Sequence, residues 1–190
     1  MKRIFAAIDI SDEARRIVTD YIESLREEFP QIRVGWERAE KLHLTLKFFG
    51  DVDEKQLTEL TSAIEETSKQ ISDFKLQITK TGVFASKRNA RILWLGVRGE
   101  TEKLQKLNEI LETECEKKRF HREKRSFKAH LTIARLREPH KSKELIERHL
   151  GNEFNSAEFQ VSKITIYESR LQKTGSIYEV IKNVELKIQN

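Results

Sequence analysis

The residues that cross-link or break a chain are scarce here: one cysteine, two prolines and seven glycines in 190 residues. The lone thiol, Cys115, excludes an internal disulfide and any cysteine-based zinc cluster. No apolar run approaches the roughly 20 residues that would cross a bilayer. Met1-Lys2-Arg3 leads straight into an apolar stretch, not a secretory leader, so the expected compartment is the cytoplasm, with no membrane contact. Also missing are a phosphate-cradling glycine-rich loop, a Walker motif and a G-x-G-x-x-G turn, so no nucleotide cofactor is implied.

What the chain has is charge. Lys, Arg, Asp and Glu make up 35% of it, with a net charge of +5. Few breakers and many charges suit an α+β protein with long charged helical faces, a composition also typical of heat-adapted proteins. The positive balance favours an anionic partner, nucleic acid before membrane. The length fits one domain, or one domain built from two similar lobes.

Periodicity gives the order of elements. RIFAAIDI at 3–10 reads as a buried strand, and Ser11 as the cap of a helix over 12–29. QIRVGWERAE is strand or loop, and 42–49 is a strand closed by a turn at Gly50 and Asp51. Asp53 caps a helix to about residue 71, followed by a strand at 74–80 and a loop at 81–90. The order then restarts. A strand at 91–97 precedes a helix capped by Thr101, a strand at 129–135, a short helix from Ser142 closed by Gly151, and a strand over 157–169. A turn at 173–176 and a final strand end the chain.

The restart is an internal repeat, about 3–80 and 91–166. Arg3-Ile4 matches Arg91-Ile92, and Phe74 matches Phe159. His43-Leu44-Thr45-Leu46 returns 87 positions later as His130-Leu131-Thr132-Ile133. On a strand successive side chains alternate faces. His43 and Thr45 then share one face, and Leu42, Leu44, Leu46 and Phe48 the other; His130 and Thr132 likewise oppose Leu131 and Ile133. Two copies packed about a pseudo-twofold axis would bring both His-Thr pairs to one shared cleft.

Two imidazoles there form a complementary pair, one neutral to take a proton from water and one protonated to give a proton to a leaving oxygen. Two threonine hydroxyls and a cation suit a phosphorane oxyanion. With no cysteine-type nucleophile or serine beside either histidine, the set points to direct attack of water on an activated phosphodiester. A zinc site is disfavoured, because no carboxylate or cysteine accompanies the histidines at ligand spacing.

Paired H-x-T-x motifs in a duplicated chain of this size resemble the two-histidine (2H) phosphoesterase superfamily, and within it the RNA 2′,3′-cyclic phosphodiesterases once called 2′-5′ RNA ligases. The likeness runs through RIFAAIDI, VGWERAEKLHLTLKFFGDVDE, TGVF, FKAHLTIARL and IYESRLQKTGSIYEV. It implies a bilobal α+β fold, with two antiparallel sheets forming a central cleft and helices outside. It also implies a reaction without metal or cofactor, in which a 2′,3′-cyclic phosphate on RNA or a small nucleotide opens to a 2′-phosphate. It further implies reversible, ATP-independent 2′-5′ ligation of such an end to a 5′-hydroxyl. By this resemblance His43 is the proton donor to the 3′ oxygen and His130 the acceptor from water. Thr45 and Thr132 would hydrogen-bond the phosphate, and Arg135 would help bind it. A monomer is expected.

Some residues keep two readings. Strict alternation puts Arg135 on the leucine face, so it reaches the cleft only if its strand bulges or ends first. Phe84 either stacks on a base at the cleft mouth or anchors a loop. The run from Lys117 to Lys128 holds seven Lys or Arg with Phe120 and Phe127 interleaved; it either guides an RNA backbone or is a solvated helix end. His121, His140 and His149 are expected at the surface, and Trp36 and Trp94 in the core. The competing function is an RNA-binding module without catalysis; two complete His-Thr pairs favour the enzyme, since binding alone needs no imidazole pair.

Overall fold

The computed structural model describes residues 1–84, 90–172 and 175–188. The opening apolar run forms β1 (Lys2–Asp9), and Ser11 starts α1 (Asp12–Glu28), its hydroxyl accepting from the Ala14 amide at 3.2 Å. A short β2 (Val34–Trp36) and a 3-10 turn (Ala39–Lys41) lead into β3 (His43–Val52). This strand runs through the turn expected at Gly50 and Asp51. Gly50 takes φ 75°, open to glycine; pairing with β1 skips only Phe49 there and continues with Gly50, Asp51 and Val52 opposite Ile4, Arg3 and Lys2. Asp53 caps α2 (Glu54–Ser68) reciprocally with Gln56: Asp53 Oδ1 accepts the Gln56 amide at 2.7 Å, and Gln56 Oε1 accepts the Asp53 amide at 3.0 Å. β4 (Phe74–Phe84) includes Thr81–Phe84, expected in a loop, because these residues pair with β5 (Ile92–Gly99). Residues 85–89 of that loop lie outside the described ones.

Thr101 is the first residue of α3 (Thr101–Lys117), not its cap. Glu100 holds that place without capping, its carboxylate engaged by the Lys75 amide at 2.7 Å and by Lys103 at 2.8 Å. After β6 (Leu131–Leu136), α4 (Lys143–Leu150) begins without a side-chain cap, since the Ser142 hydroxyl donates to the Glu138 carbonyl at 2.9 Å. The strand expected over 157–169 is split at Ser162 into β7 (Asn155–Val161) and β8 (Lys163–Gln172). β9 (Gly175–Glu185) folds back on β8. Of the turn expected at 173–176, Gly175 and Ser176 open β9, and residues 173–174 are not among those described.

Hydrogen bonding joins the strands in the order β7-β4-β5-β6-β3-β1-β8-β9, with β2 added on β6. Neighbours are antiparallel. Two leaves meet at β3 and β6, through one register pair, Leu44 opposite Leu131. Outwards from that joint lie β1, β8 and β9 on one side, and β5, β4 and β7 on the other. The chain interlaces the leaves, because β4 precedes the restart at residue 91 yet pairs with β5, while β8 returns to pair with β1. The helices lie outside, α2 against α3, α1 on β7 and α4 on β4. Leu44, Leu46, Leu131 and Ile133 are buried in the core.

Two polar groups are buried with it. Lys47 of β3 lies 2.7 Å from Glu112 of α3, with 4% and 8% of the side chains exposed, and donates to the His121 carbonyl at 2.9 Å. His149, expected at the surface, is fully buried. Its Nε2 lies 3.1 Å from the Gly82 carbonyl and 3.2 Å from that of Trp94, so it carries the proton; Nδ1 then accepts from Tyr21 Oη at 2.9 Å. One imidazole thus ties α4 to β4, β5 and α1, which periodicity in a short amphipathic helix does not reveal. His121 and His140 are exposed, as expected.

Burial lowers the His149 pKa below its usual value, opposed by the two carbonyl contacts, and pushes the Tyr21 hydroxyl up to about 12. A histidine neutral when folded and protonated when unfolded contributes stability that is complete above the unfolded pKa, about 6.5. That contribution is lost as pH falls towards the folded pKa. The thermal midpoint is therefore expected to drop on acidification from about pH 7 to about pH 5. His149→Gln should flatten that dependence by up to one proton; an unchanged slope in the variant would remove His149 from the account.

Candidate active site

β3 and β6 each carry one extra residue just past His-x-Thr. Along β1, Ala7 faces Thr45 and Ala6 faces Lys47, so Leu46 is skipped. Along β5, Trp94 faces Thr132 and Leu93 faces Ala134, so Ile133 is skipped. A bulge reverses the alternation: Leu46 and Lys47 are both buried, and so are Ile133 and Ala134. The two bulges are 87 positions apart, as the histidines are. Each turns the residue two places further on to the histidine face. In β6 that residue is Arg135, which meets the condition set for it. In β3 it is Phe48, which the alternation placed among the leucines; it is 71% exposed instead, its ring 5.7 Å from that of Phe5. At equivalent positions one half presents a cation and the other an aromatic ring.

The histidines stand at the joint of the leaves. His43 opens β3, and His130 lies one residue before β6. Antiparallel counting from Leu44–Leu131 sets Thr45 beside His130 and Thr132 beside His43 in register. Each imidazole is held alike. His43 Nδ1 lies 2.7 Å from the Lys41 carbonyl, and His130 Nδ1 lies 2.7 Å from the Lys128 carbonyl. A carbonyl only accepts, so Nδ1 carries the proton and Nε2 has the lone pair. His43 Nε2 accepts from the Thr45 hydroxyl at 3.0 Å.

Their surroundings differ. Beneath His43 is Phe5 at 4.9 Å between ring centroids, with Tyr178 edge-on at 5.5 Å and Tyr167 at 6.1 Å. Asp9, the register partner of His43, accepts from Thr165 at 2.7 Å and from Tyr167 Oη at 2.5 Å. Arg15 of α1 donates to the carbonyls of Ala39 and Leu42, pinning the turn before His43. Burial pushes the His43 pKa down to about 4; the Lys41 carbonyl and Asp9 act against this, while Arg15 and His130 add to it. Burial also lowers His130, opposed by the Lys128 carbonyl and reinforced by Arg135. Arg135 lies 3.4 Å from Glu37, and both charges act on the Tyr178 hydroxyl, which burial raises.

Of the other residues singled out, Phe84 ends β4 with its ring edge-on to His130 at 4.6 Å and 5.4 Å from Trp94. Trp94 lies beneath it. A Cβ at Gly82 would fall 2.1 Å from the indole, so this close approach requires glycine. Trp36 is half-buried against the core, as expected. The basic run leaves α3 at Lys117 and continues as an irregular strap to His130. Asp9, Arg15, Glu37, Tyr167 and Tyr178 were not singled out from the sequence. Asp9, Tyr167 and Tyr178 reach His43 through strand pairing and hairpin return, Arg15 through the packing of α1 on the turn before it, and Glu37 through Arg135, none of which spacing encodes.

The fold corresponds to a described class. The model of the 2′-5′ RNA ligase superfamily matches residues 12–173, and the chain belongs to that family. Among curated relatives, an RNA 2′,3′-cyclic phosphodiesterase of Thermotoga maritima is 34% identical over 94% of this chain and 92% of its own. One of Methanothermobacter thermautotrophicus is 32% identical over 93% and 94%. In structure the chain is similar to a Thermus thermophilus protein (TM-score 0.80, 22% identity, 99% of this chain and 100% of that one). It is also similar to Escherichia coli LigT complexed with 3′-AMP (TM-score 0.71, 23% identity, 97% of each chain). Among the described residues no helix is long and apolar enough to cross a membrane.

Proposed function

We propose that this chain hydrolyses 2′,3′-cyclic phosphate ends of RNA or of small nucleotides to 2′-phosphates, with His130 as the base and His43 as the acid. The observation that carries the reading is the matched pair of imidazoles, each held through Nδ1 by the carbonyl two residues before it. Supporting it are the curated relatives named RNA 2′,3′-cyclic phosphodiesterase and the similarity to LigT complexed with 3′-AMP.

Water attacks phosphorus in line with the P–O3′ bond. His130 Nε2 takes the proton from water as the new P–O bond forms. His43 gives its Nε2 proton to O3′ as that bond breaks, leaving phosphate on O2′. Thr45, Thr132 and Arg135 carry the charge on the phosphorane oxygens. Two nearby charges fit this division: the Asp9 carboxylate favours the imidazolium of His43, and Arg135 favours neutral His130. Burial, Arg15 and His130 oppose the charged form of His43, and an anionic phosphodiester beside it would offset them. Once His43 Nε2 is protonated it no longer accepts from Thr45, whose hydroxyl is then free to donate to a phosphate oxygen. With a 5′-hydroxyl in place of water the same displacement forms a 2′-5′ phosphodiester as P–O3′ breaks, joining two RNA ends without ATP; run backwards, O3′ attacks phosphorus and releases the 5′-hydroxyl. The two repeats would form halves related by a pseudo-twofold axis through the β3–β6 joint.

The test is turnover of a nucleoside 2′,3′-cyclic phosphate in EDTA, with the 2′-phosphate as product and the His43→Ala, His130→Ala double variant as control. Equal rates for the two proteins would end the reading, and tight RNA binding without turnover would favour the binding-module alternative. Both histidines lie below their usual pKa, so kcat/KM, which reports the free protein, is expected to peak on the acid side of about pH 6.5. The bound phosphate's negative charge raises both values, so the kcat profile should sit higher in pH. Coincident profiles would argue against that coupling.

A further inference from the structure

Phe48 is the anomaly of the cleft face. A phenyl ring 71% exposed on a strand, between buried Lys47 and partly buried Phe49, keeps its apolar surface in water, although the strand's regular alternation would have hidden it. The bulge at Leu46 turns it outward, and Phe5, itself 1% exposed, supports it from beneath. The same Phe5 ring packs on His43, so a single ring separates Phe48 from the proposed acid.

Beside it runs the strap between α3 and β6, fastened to the residues on either side of Phe48. Lys47 donates to the His121 carbonyl at 2.9 Å, and the rings of Phe49 and Phe120 meet edge to face at 5.3 Å. The Glu123 amide donates to Glu112 at 3.2 Å. The far end of the strap is the Lys128 carbonyl that holds His130. Between these fastenings Lys124, Arg125 and Lys128 are exposed, and among the described residues none of them is in a salt bridge. The Glu123 carboxylate accepts the Arg125 amide at 3.1 Å and feels the Arg125 charge. By contrast Lys117, Lys118 and Arg122, at the α3 end, are paired with Glu114, Glu59 and Glu116. Among the described residues, the exposed strap cations outside any salt bridge are thus Arg119, just past α3, and Lys124, Arg125 and Lys128 on the approach to the histidine.

A supported aromatic ring with one free face, next to a row of such cations, is the chemistry that holds single-stranded nucleic acid: the ring takes a base, the cations take phosphates. The ribose of the reacting end lies on the side of the leaving O3′, hence of His43, so the rest of an RNA chain leaves the cleft on the side where Phe48 stands. We propose that Phe48 and the Lys124–Lys128 part of the strap form a second nucleotide subsite, in which Phe48 stacks on the base of the nucleotide preceding the cyclic end. Lys124, Arg125 and Lys128 bind the phosphates on its 5′ side. This rests on the reaction proposed above and narrows its substrate: the preferred ligand is an RNA strand, not a mononucleotide.

The experiment compares a trinucleotide ending in a 2′,3′-cyclic phosphate with the matching nucleoside 2′,3′-cyclic phosphate. The intact protein is expected to favour the trinucleotide in kcat/KM by about tenfold or more, and Phe48→Ala to lower that preference by about 5- to 100-fold. Phe48→Trp should keep it. Replacing Lys124, Arg125 and Lys128 by serine should weaken binding of a 5′-labelled RNA strand and reduce its dependence on salt, with a slope change of about 0.7 for each phosphate no longer neutralised. The thermal midpoint of Phe48→Ala should stay close to that of the intact protein, because so little of the ring is covered. No preference for the trinucleotide, or a Phe48→Ala loss equal on both substrates, overturns the subsite. If neither substrate turns over, the reaction is what fails. Anisotropy of the labelled strand then decides the subsite alone: equal affinity of the intact protein and Phe48→Ala rejects it.

Discussion

His130→Ala is expected to lower kcat on a nucleoside 2′,3′-cyclic phosphate by about 10²- to 10⁴-fold, and His43→Ala by a factor in the same range. The double variant should be little worse than the poorer single one. In the proposed mechanism acid and base act in one concerted displacement, so removing either would leave the other without a partner step, and the losses would not add. What would remain after either change is the proposed hold on phosphate by Thr45, Thr132 and Arg135. The KM of the single variants should therefore move much less than kcat. Single-turnover rates with saturating protein separate these quantities. A double variant whose loss equals the product of the two single losses would mean the histidines act in separate steps.

Glu112→Ala should cost about 3–5 kcal/mol of folding stability, because it strands the Lys47 ammonium in the core. The site is nearly dry, with the two side chains 4% and 8% exposed, and the remaining partner of Lys47 is the His121 carbonyl. Replacing the pair together, with Lys47→Met and Glu112→Leu, should recover much of the loss, since apolar packing removes both desolvation penalties. Urea unfolding of the three proteins measures this; a Glu112→Ala loss below about 1 kcal/mol would place the pair among those that contribute little. The double replacement also removes two fastenings of the strap, Lys47 to the His121 carbonyl and the Glu123 amide to Glu112, leaving the Phe49–Phe120 contact. A weaker preference for the trinucleotide in that protein, at restored stability, would link the ion pair to the subsite.

The sequence carried the parts whose rules are local. Ser11 and Asp53 announced their helices through capping chemistry that needs only three following residues, and the periodicity of Phe74, Leu76 and Ile78 announced β4. The catalytic candidates were legible because the chain spells them twice at one spacing. What it did not spell is parity. A bulge is a two-against-one pairing with the neighbouring strand, and nothing in HLTLKFF says that Leu46 will be skipped by β1. Hence Arg135 was left conditional and Phe48 was placed on the wrong face. α3 starts one residue early, at Thr101, with Glu100 in the cap position and both its oxygens engaged by Lys75 and Lys103, and His149 was missed because its partners lie on three other elements. Asp9 is near His43 only through pairing across the whole of α1.

The interlacing of the leaves bears on how this molecule is made. β1 lies between β3 and β8, and β8 begins only at Lys163, far along the chain from the end of β1 at Asp9. The second edge of β1 stays open until β8 joins it, and loop closure over such a span is slow. Refolding is therefore expected to be slow for a chain of this length, and the N-terminal repeat alone to be a poor folding unit, with β1 short of one neighbour and β4 short of β5. Newly made chains would be exposed to misassembly through those unpaired strands until the last third of the polypeptide arrives.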